Sequence, residues 1–150
     1  MLTRISASSA KWNSILPLSC IDATKTGDIS ESGKIWQYEK ISRTISTASI
    51  VEGLMTVADF TGNVHCLDPE TGKLYWVHDT EAHIWGSTLI ADGKVYIGNE
   101  SGDLIILAAD KEKKEIGKVT LEGSIMSTPV AANGVLFVST EKRLYAFEKK

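Results

Sequence analysis

Apolar and polar residues alternate in short runs along this chain, which is the pattern of half-buried β-strands. In residues 93–99 (GKVYIGN), Val95 and Ile97 share one face of such a strand. Residues 134–140 (GVLFVST) repeat the alternation, whereas no stretch shows the 3.6-residue period of an amphipathic helix. The chain is therefore predicted to be all-β.

Turn residues separate the apolar runs from one another. Asp92-Gly93 and Asn133-Gly134 supply the positive φ angles that tight hairpins require. Strands are expected at residues 18–22, 34–39, 45–51, 54–59, 63–68, 73–78, 85–91, 94–99, 103–108, 115–120, 125–131, 135–140 and 143–148.

The same pattern recurs along the chain with a period of about forty residues. Val64, Leu104 and Leu144 recur at a spacing of 40, and Trp36 returns as Trp76. A unit of this size cannot bury its apolar face alone, so it stacks on its neighbours. Four up-and-down strands in each unit predict a β-propeller of four-stranded antiparallel blades, with the first strand of each blade lining a central channel.

The strands do not divide into whole blades. We expect an irregular or truncated start at 1–17 and repeats at 18–150, comprising an outer half-blade at 18–39, full blades at 45–78 and 85–120, and a blade lacking its outer strand at 125–148. Propellers close their ring with about four to eight blades. This incomplete ring is therefore expected to be the carboxyl-terminal part of a larger propeller, or to close by self-association.

The first twenty residues resemble a lipoprotein signal in having basic residues ahead of Cys20. Their apolar core, residues 15–18, is broken by Pro17 and is shorter than the ~7–15 residues of a signal's apolar region. Residues 19–28 also align with residues 65–73 of the repeat. A place within a repeat is therefore the favoured explanation of this cysteine.

Composition excludes several classes of protein. A hydrophobic content of 43% with 23% charged residues indicates a folded globular chain and not a disordered one. The net charge of −3, with lysine and arginine spread along the chain, provides no basic stripe for nucleic acid. No apolar run approaches the ~18 residues of a membrane helix. Two cysteines are too few for a disulfide framework, so they do not indicate a redox compartment.

A ten-residue motif, LDPETGKLYW, ends the third strand of the clearest repeat and begins the fourth. Gly72 can adopt the positive φ of the turn, and Asp68 can accept hydrogen bonds from the turn backbone. Trp76 is expected to bury its ring against the adjacent blade. An earlier, partial copy supplies the other members of this structural repeat motif, which consists of Asp22, Gly33, Lys34, Trp36, Asp68, Thr71, Gly72, Lys73 and Trp76.

The motif resembles the repeat of pyrroloquinoline-quinone (PQQ) propellers, A-x-D-x-x-T-G-K-x-x-W, and lacks only the leading alanine. The resemblance extends over about residues 18–150 and is closest to the BamB-like members of that family. It implies an exported propeller, in the periplasm or cell envelope, that acts as a scaffold or binding surface. The blade at 85–120 lacks Thr-Gly-Lys and the tryptophan, so Ile116 is expected to replace the packing of that ring.

The resemblance to the repeat does not imply that this chain binds the quinone. In the dehydrogenases of this family, PQQ lies between a tryptophan and an adjacent cysteine pair, beside a calcium ion held by Glu, Asn and Asp. This chain has no adjacent cysteine pair. Glu52, Asp59, Asn99 and Glu100 supply hard oxygen ligands, but they lie at hairpin turns, where solvated polar groups are ordinary. We expect no cofactor, with PQQ and calcium retained only under a dehydrogenase alternative.

The histidines do not form a zinc pattern. His65 and Cys66 are neighbours whose side chains leave a strand on opposite faces. We therefore expect a solvent-facing His65, a core Cys66 and an exposed His78.

Hydroxyl residues begin every inner strand. Their recurrence in each blade favours hydrogen bonds between blades over a specific site, and no Gly-x-Ser-x-Gly elbow marks a nucleophile among them. These residues are Ser46, Thr47, Ser87, Thr88, Ser127 and Thr128.

The loop at residues 79–85 joins one blade to the next and is expected to rim the mouth of the channel. Glu81, His83 and Trp85 are its candidate contacts with a ligand. Because Ile45 and Ile125 lie forty residues on either side of Trp85, buried packing between blades is the favoured alternative for this tryptophan.

These features favour a non-catalytic propeller segment that acts as a scaffold or binding module for a protein or small ligand at the channel mouth. The identity of the partner stays open. The alternative is the carboxyl-terminal part of a PQQ-dependent alcohol or sugar dehydrogenase. A sensor propeller attached to a signalling domain is a third hypothesis.

Overall fold

The computed structural model describes residues 17–148, and regular secondary structure in that range consists of β-strands alone. The expected start at 1–17 therefore lies outside the described residues, except for its last residue. The strands are β1 (Leu18–Ile21), β2 (Lys34–Tyr38), β3 (Ser49–Val51), β4 (Leu54–Ala58), β5 (Asn63–Leu67), β6 (Leu74–Asp79), β7 (Leu89–Ala91), β8 (Lys94–Gly98), β9 (Asp103–Ala108), β10 (Glu115–Thr120), β11 (Val130–Ala132), β12 (Val135–Ser139) and β13 (Leu144–Glu148).

The strands form four antiparallel sheets in which sequence neighbours pair. We number these sheets as blades: blade 1 is β1–β2, blade 2 is β3–β6, blade 3 is β7–β10 and blade 4 is β11–β13. The innermost strands of blades 2 and 3 contact each other. The predicted fold class is confirmed: an all-β propeller arc with two full blades, two partial blades and no closed ring among the described residues.

The inner strands are shorter than the alternation predicted. β3 begins at Ser49 instead of residue 45, and β7 begins at Leu89 instead of residue 85. The residues before each strand bond to the neighbouring blade instead of their own sheet. The Ser46 hydroxyl, for example, donates to the Gly86 carbonyl at 2.6 Å.

Hydroxyl groups also cross the interfaces between blades, as the repeat predicted. The Thr47 N–H donates to Ser87 Oγ, and the Ser87 N–H donates to Thr128 Oγ1, both at 2.8 Å. The Ser49 hydroxyl donates to the Thr88 carbonyl at 2.6 Å. Ser87 thus lies in a ladder that links blades 2, 3 and 4.

The hairpins predicted at Asp92-Gly93 and Asn133-Gly134 are confirmed. Asp92 has φ 50° and Asn133 has φ 52°, and the glycine after each is also positive. Glu52-Gly53 adopts the same conformation, with Glu52 at φ 49°. The strands expected at 45–51 and 54–59 leave this turn between them, although its Glu-Gly pair is not one of the usual hairpin dipeptides.

The hydrophobic core lies between the blades. The largest cluster joins blades 2 and 3 and contains Leu54, Ala58, Val64, Cys66, Trp76, Ile84, Val95, Ile97, Ile105 and Leu107. Two smaller clusters join blade 1 to blade 2 and blade 3 to blade 4. The packing is so close that a Cβ on Gly98 would overlap Ile125 of the next blade. No helix of the described residues is long and apolar enough to cross a membrane.

Candidate functional site

The motif tryptophans dock each blade onto the turn of the next. The Trp36 indole N–H donates to the Pro69 carbonyl at 3.0 Å, and the Trp76 indole N–H donates to the Asp110 carbonyl at 2.8 Å. Trp76 is only 6% exposed. Gly72 has φ 70°, and a Cβ there would lie 2.5 Å from the Trp36 ring.

The rest of the motif organises the turns on which the tryptophans dock. Asp68 accepts the Glu70 and Thr71 N–H groups at 3.0 Å and the Tyr75 hydroxyl at 2.8 Å. These bonds, the one from Tyr75 above all, hold the pKa of Asp68 below its usual value. The Lys73 N–H donates to the Thr71 hydroxyl at 3.3 Å.

The partial copy in blade 1 is built in the same way. Asp22 accepts the Thr24 N–H at 3.0 Å, and its own N–H donates to the Gly33 carbonyl at 2.8 Å. Lys34 opens β2, the strand that carries Trp36. The structure thus brings Trp36, Gly72 and Trp76 to the blade interfaces, while the other motif residues shape the turns within their own blades.

Ile116 occupies the position of the missing tryptophan in blade 3 and is 48% exposed. Its expected packing stays a prediction, because the turn on which it would dock lies beyond the described residues. Trp36 and Trp76 each dock on the turn that follows the third strand of the next blade. The described part of blade 4 ends with its third strand, β13, before such a turn.

His65 is buried, not solvent-facing, and it lies in a polar network between blades 1 and 2. The residue is 2% exposed, with Nε2 3.0 Å from Asp59 Oδ2 and Nδ1 3.0 Å from the Tyr38 hydroxyl. Cys66 is buried as predicted. Strand alternation predicted a solvent-facing His65 because it assumes that one face of the sheet is buried and the other meets solvent. In a propeller, neighbouring blades cover both faces of a sheet, so residues on either face can be buried.

His78 is also less exposed than expected. Its side chain is 13% exposed, and Nε2 lies 3.9 Å from Glu115 Oε2 of the next blade. Burial lowers the pKa of His78, and the nearby Glu115 carboxylate opposes that shift.

Two of the four residues considered as oxygen ligands, Asp59 and Asn99, are buried and engaged in turns, which corrects their interpretation as solvated groups. Asp59 Oδ1 accepts the Thr61 and Asn63 N–H groups, and Asn99 Oδ1 accepts the Asp103 N–H at 2.9 Å. Burial opposes ionisation of Asp59, but hydrogen bonds from His65 and Thr61 outweigh it and lower the pKa of Asp59.

The residues present do not fit the PQQ and calcium set of the family's dehydrogenases. Cys20 and Cys66 are far apart in sequence, and burial raises the pKa of Cys66 to about 12, which keeps its thiol protonated. The oxygens of Asp59 and Asn99 serve their own turns. Among residues 17–148, no group of three or more His, Cys, Asp or Glu side chains could hold a metal ion.

The loop after β6 places Trp85 at the rim, not in the core. Ile84 is the buried apolar residue of this loop, and its counterpart in blade 4 is Ile125, also buried. These two are 41 residues apart, so aligning Trp85 with Ile125 was wrong by one position. Trp85 instead corresponds to Ile45 and Met126 at the entries to blades 2 and 4.

These three residues form what we call the apolar rim: Ile45 (47% exposed), Trp85 (40% exposed) and Met126 (43% exposed). Matching backbone bonds support the alignment. The N–H groups of Phe60, Glu100 and Glu141 donate to the carbonyls of Arg43, His83 and Ser124, respectively, at 2.8–3.0 Å. Each entry loop is thereby fastened to the turn between the second and third strands of its blade.

Trp85 belongs to a cluster that spans two blades. Its indole N–H donates to Glu100 Oε2 at 3.2 Å, and its ring lies edge-on to Phe60 with centroids 4.9 Å apart. His83 stacks on Phe60 at 4.7 Å, and its Nδ1 lies 3.0 Å from the Phe60 carbonyl oxygen. The Arg43 guanidinium lies 5.3 Å from the Phe60 centroid.

A depression of about 500 Å³ lies beside this cluster. We call it the acidic depression, and its lining residues are Thr61, Asp79, Glu81, Ala82, His83, Glu100 and Ser101. It contains the sequence candidates Glu81 and His83 and borders the third, Trp85. Asp79 accepts the Glu81 N–H at 2.8 Å, which supports the left-handed backbone of Glu81 at φ 65°. Sequence reasoning missed Phe60 and Glu100 as partners of Trp85 because they come from two different turns.

Comparison with known proteins gives a family match over most of the chain. The family described as "Outer membrane protein assembly factor BamB" matches residues 21–150. An assembly factor BamB of Nitrosomonas eutropha is 28% identical over 88 residues, which is 59% of this chain and 21% of that protein. A quinohemoprotein alcohol dehydrogenase of Comamonas testosteroni is 27% identical over 116 residues, covering 69% of this chain and 16% of that protein.

Solved structures show the same fold. The crystal structure of BamB from Moraxella catarrhalis superposes with a TM-score of 0.67 at 21% identity, over 77% of this chain and 37% of that one. The crystal structure of the Comamonas testosteroni enzyme gives 0.56 at 25% identity, over 63% of this chain and 17% of that one. The chain thus spans about a fifth or less of the curated relatives described above.

Proposed function

Since this chain belongs to the PQQ-repeat propeller family described as outer membrane protein assembly factor BamB, we propose that it is a non-catalytic binding module. In this proposal its blades form a rigid scaffold, and the rim formed by its entry loops holds a partner. The repeat motif stabilises the scaffold and takes no direct part in binding.

The exposed apolar rim is the observation that supports this function most directly. Ile45, Trp85 and Met126 stay exposed at corresponding positions of three blades, while Ile84 and Ile125 beside them are buried. Exposed apolar residues that recur on one face of a folded scaffold are typical of interaction surfaces. Trp85 is a strong anchor for such a surface because tryptophan contributes large buried areas at interfaces.

The names of the relatives favour a protein partner and a place in the cell envelope. Two curated relatives, from Nitrosomonas eutropha and Shewanella oneidensis, are named outer membrane protein assembly factor BamB. We therefore propose that this chain acts in the periplasm or cell envelope.

The second candidate is a segment of a PQQ-dependent alcohol dehydrogenase. Relatives named quinohemoprotein alcohol dehydrogenase and 1-butanol dehydrogenase favour it, at 27% and 29% identity. The residue chemistry disfavours it, because the cysteine pair is missing and the oxygens of Asp59 and Asn99 are engaged in turns.

Addition of PQQ and CaCl₂ to the full-length protein that contains this chain separates the two candidates. With 1-butanol or ethanol as substrate and an artificial electron acceptor, we expect no oxidation above that of PQQ and calcium alone. Quinone binding, followed by quenching of tryptophan fluorescence, should also be absent. Turnover that depends on the protein would overturn the proposal of a non-catalytic module.

A further inference from the structure

We propose that the apolar rim and the acidic depression form one docking surface for a basic, apolar peptide segment of a partner protein. This inference rests on the proposed function and names the chemistry of its partner. In the proposed complex, an apolar side chain of the segment covers Trp85, while an adjacent lysine or arginine enters the acidic depression.

Trp85 is held ready for such a contact. Its indole N–H is fixed by Glu100 of blade 3, and its ring edge is supported by Phe60 of blade 2. His83 and Arg43 in turn contact Phe60. A side chain fixed from two blades loses little conformational freedom on binding, yet 40% of its surface stays accessible.

The negative charge of the acidic depression beside Trp85 favours a partner segment that carries a positive charge. Three carboxylates, those of Asp79, Glu81 and Glu100, line the acidic depression, and none of its lining residues is lysine or arginine. Lys118 lies close enough to sense the charge of Glu81, but its ammonium is paired with Asp103 at 3.1 Å. A cationic group therefore complements this surface, whereas an acidic peptide would be repelled.

The size of the site suits a peptide segment. A volume of about 500 Å³ lies within the range of roughly 300–1,000 Å³ found for ligand pockets. Ile45 and Met126 are exposed at the corresponding positions of blades 2 and 4 and offer further apolar contacts. A chain with alternating basic and apolar residues can place one type in the depression and the other along the rim.

Three labelled peptides of equal length test the proposal with the full chain. They alternate leucine with arginine, leucine with glutamate, and serine with arginine, and their binding is followed by fluorescence anisotropy at low ionic strength. We expect the leucine–arginine peptide to bind and to weaken as salt is added. The other two should bind at least about tenfold more weakly.

Variants locate the contact on the protein. Trp85→Ala is expected to weaken binding of the leucine–arginine peptide at least about tenfold, and Glu81→Gln about threefold or more. Ile116→Ala is the matched control, because Ile116 is similarly exposed but lies on the outer strand β10. It should leave binding unchanged. Circular dichroism verifies that each variant is folded, and Trp85→Phe, which retains an aromatic ring, should restore much of the affinity.

The proposal is overturned if the leucine–arginine peptide fails to bind at about 1 mM, or if the serine–arginine peptide binds equally well. If Trp85→Ala does not weaken binding, the proposed docking surface at the rim is wrong, although the chain can still be a binding module through another surface. Protein-dependent turnover with PQQ would instead contradict the proposed function, that of a non-catalytic binding module. If the chain self-associates and Trp85→Ala abolishes that association, the occupant of the surface is a second copy of the chain. That result would also overturn the proposal of a basic peptide segment.

Discussion

At the scale of single residues, side chains that join neighbouring blades stabilise this fold. Trp36 and Trp76 each combine a packed ring with an indole N–H bonded to a carbonyl of the next blade. A glycine is required under the first of these rings, because a Cβ at Gly72 would overlap Trp36. The glycine of the Thr-Gly-Lys motif is thus explained by the tryptophan ring that lies on it.

Replacement of Trp76 by alanine should destabilise the chain strongly. Loss of the buried ring and of its hydrogen bond to Asp110 predicts a decrease of about 3–5 kcal/mol in the free energy of unfolding, measured in urea. Ile116→Ala, forty residues later at an exposed position, should stay within about 0.5 kcal/mol. A loss below about 1 kcal/mol for Trp76→Ala would show that the ring does not dock as described.

The buried network of Asp59, His65 and Tyr38 predicts a pH dependence of stability. The pKa of Asp59 is lower in the folded state than in the unfolded chain, so its charge contributes stability above the unfolded value of about 3.9. That contribution is lost as the pH falls below this value. Asp59→Asn should cost roughly 1.5–3 kcal/mol at pH 5, by loss of charged hydrogen bonds.

The difference in unfolding free energy between the native chain and Asp59→Asn should shrink as the pH is lowered from about 5 to 3. Asp68 and Asp103 also have lowered pKa values, but they titrate in both proteins and cancel in the difference. A difference that stays constant over this range would contradict the assignment.

At the scale of elements, the hydroxyl ladder ties the entry of each inner strand to the next blade. Ser87 lies at its centre, because its hydroxyl accepts the Thr47 N–H and its own N–H donates to Thr128. The ladder also explains why the inner strands begin several residues later than alternation alone predicts.

Ser87→Ala should lower the free energy of unfolding by about 1 kcal/mol, because the Thr47 N–H loses its partner. Ser127→Ala provides a comparison, since that hydroxyl is exposed and makes only a long bond of 3.3 Å to the Ser139 carbonyl. Urea unfolding of both variants measures the effect. Equal losses for the two would indicate that the bond between blades is not stabilising.

Period-2 alternation and turn residues were sufficient to predict the strands and blades, because both are local signals. They were insufficient for His65 and Trp85. His65 is buried because blade 1 covers it, a contact that no local pattern encodes. Trp85 was misaligned because blade 4 is offset by one residue, and its partners Phe60 and Glu100 come from two separate turns.

At the scale of the whole molecule, the arc formed by residues 17–148 leaves an apolar face uncovered on each terminal blade. Ile21 and Ile35 are exposed on blade 1, and Val130 and Leu144 are exposed on blade 4. The middle strands of blades 2 and 3, by contrast, are mostly buried between neighbouring blades. These two faces therefore favour association with further blades or with a second copy.

The purified chain should accordingly self-associate. Light scattering after size-exclusion chromatography should give a mass above that of a single chain at micromolar concentration. Val130→Lys combined with Leu144→Lys should increase the monomeric fraction, because both substitutions place charge on the uncovered face of blade 4. A chain that is monomeric before these substitutions would contradict the expectation.

Photo-cross-linking in living cells tests the central claim, that the rim formed by the entry loops is where this propeller holds a partner. A benzophenone amino acid is placed at position 85 in one variant and at position 116, on the outer strand, in another. A discrete protein adduct at position 85 and none at position 116 is the predicted result. An adduct at position 116 alone, or at neither position, would contradict the account.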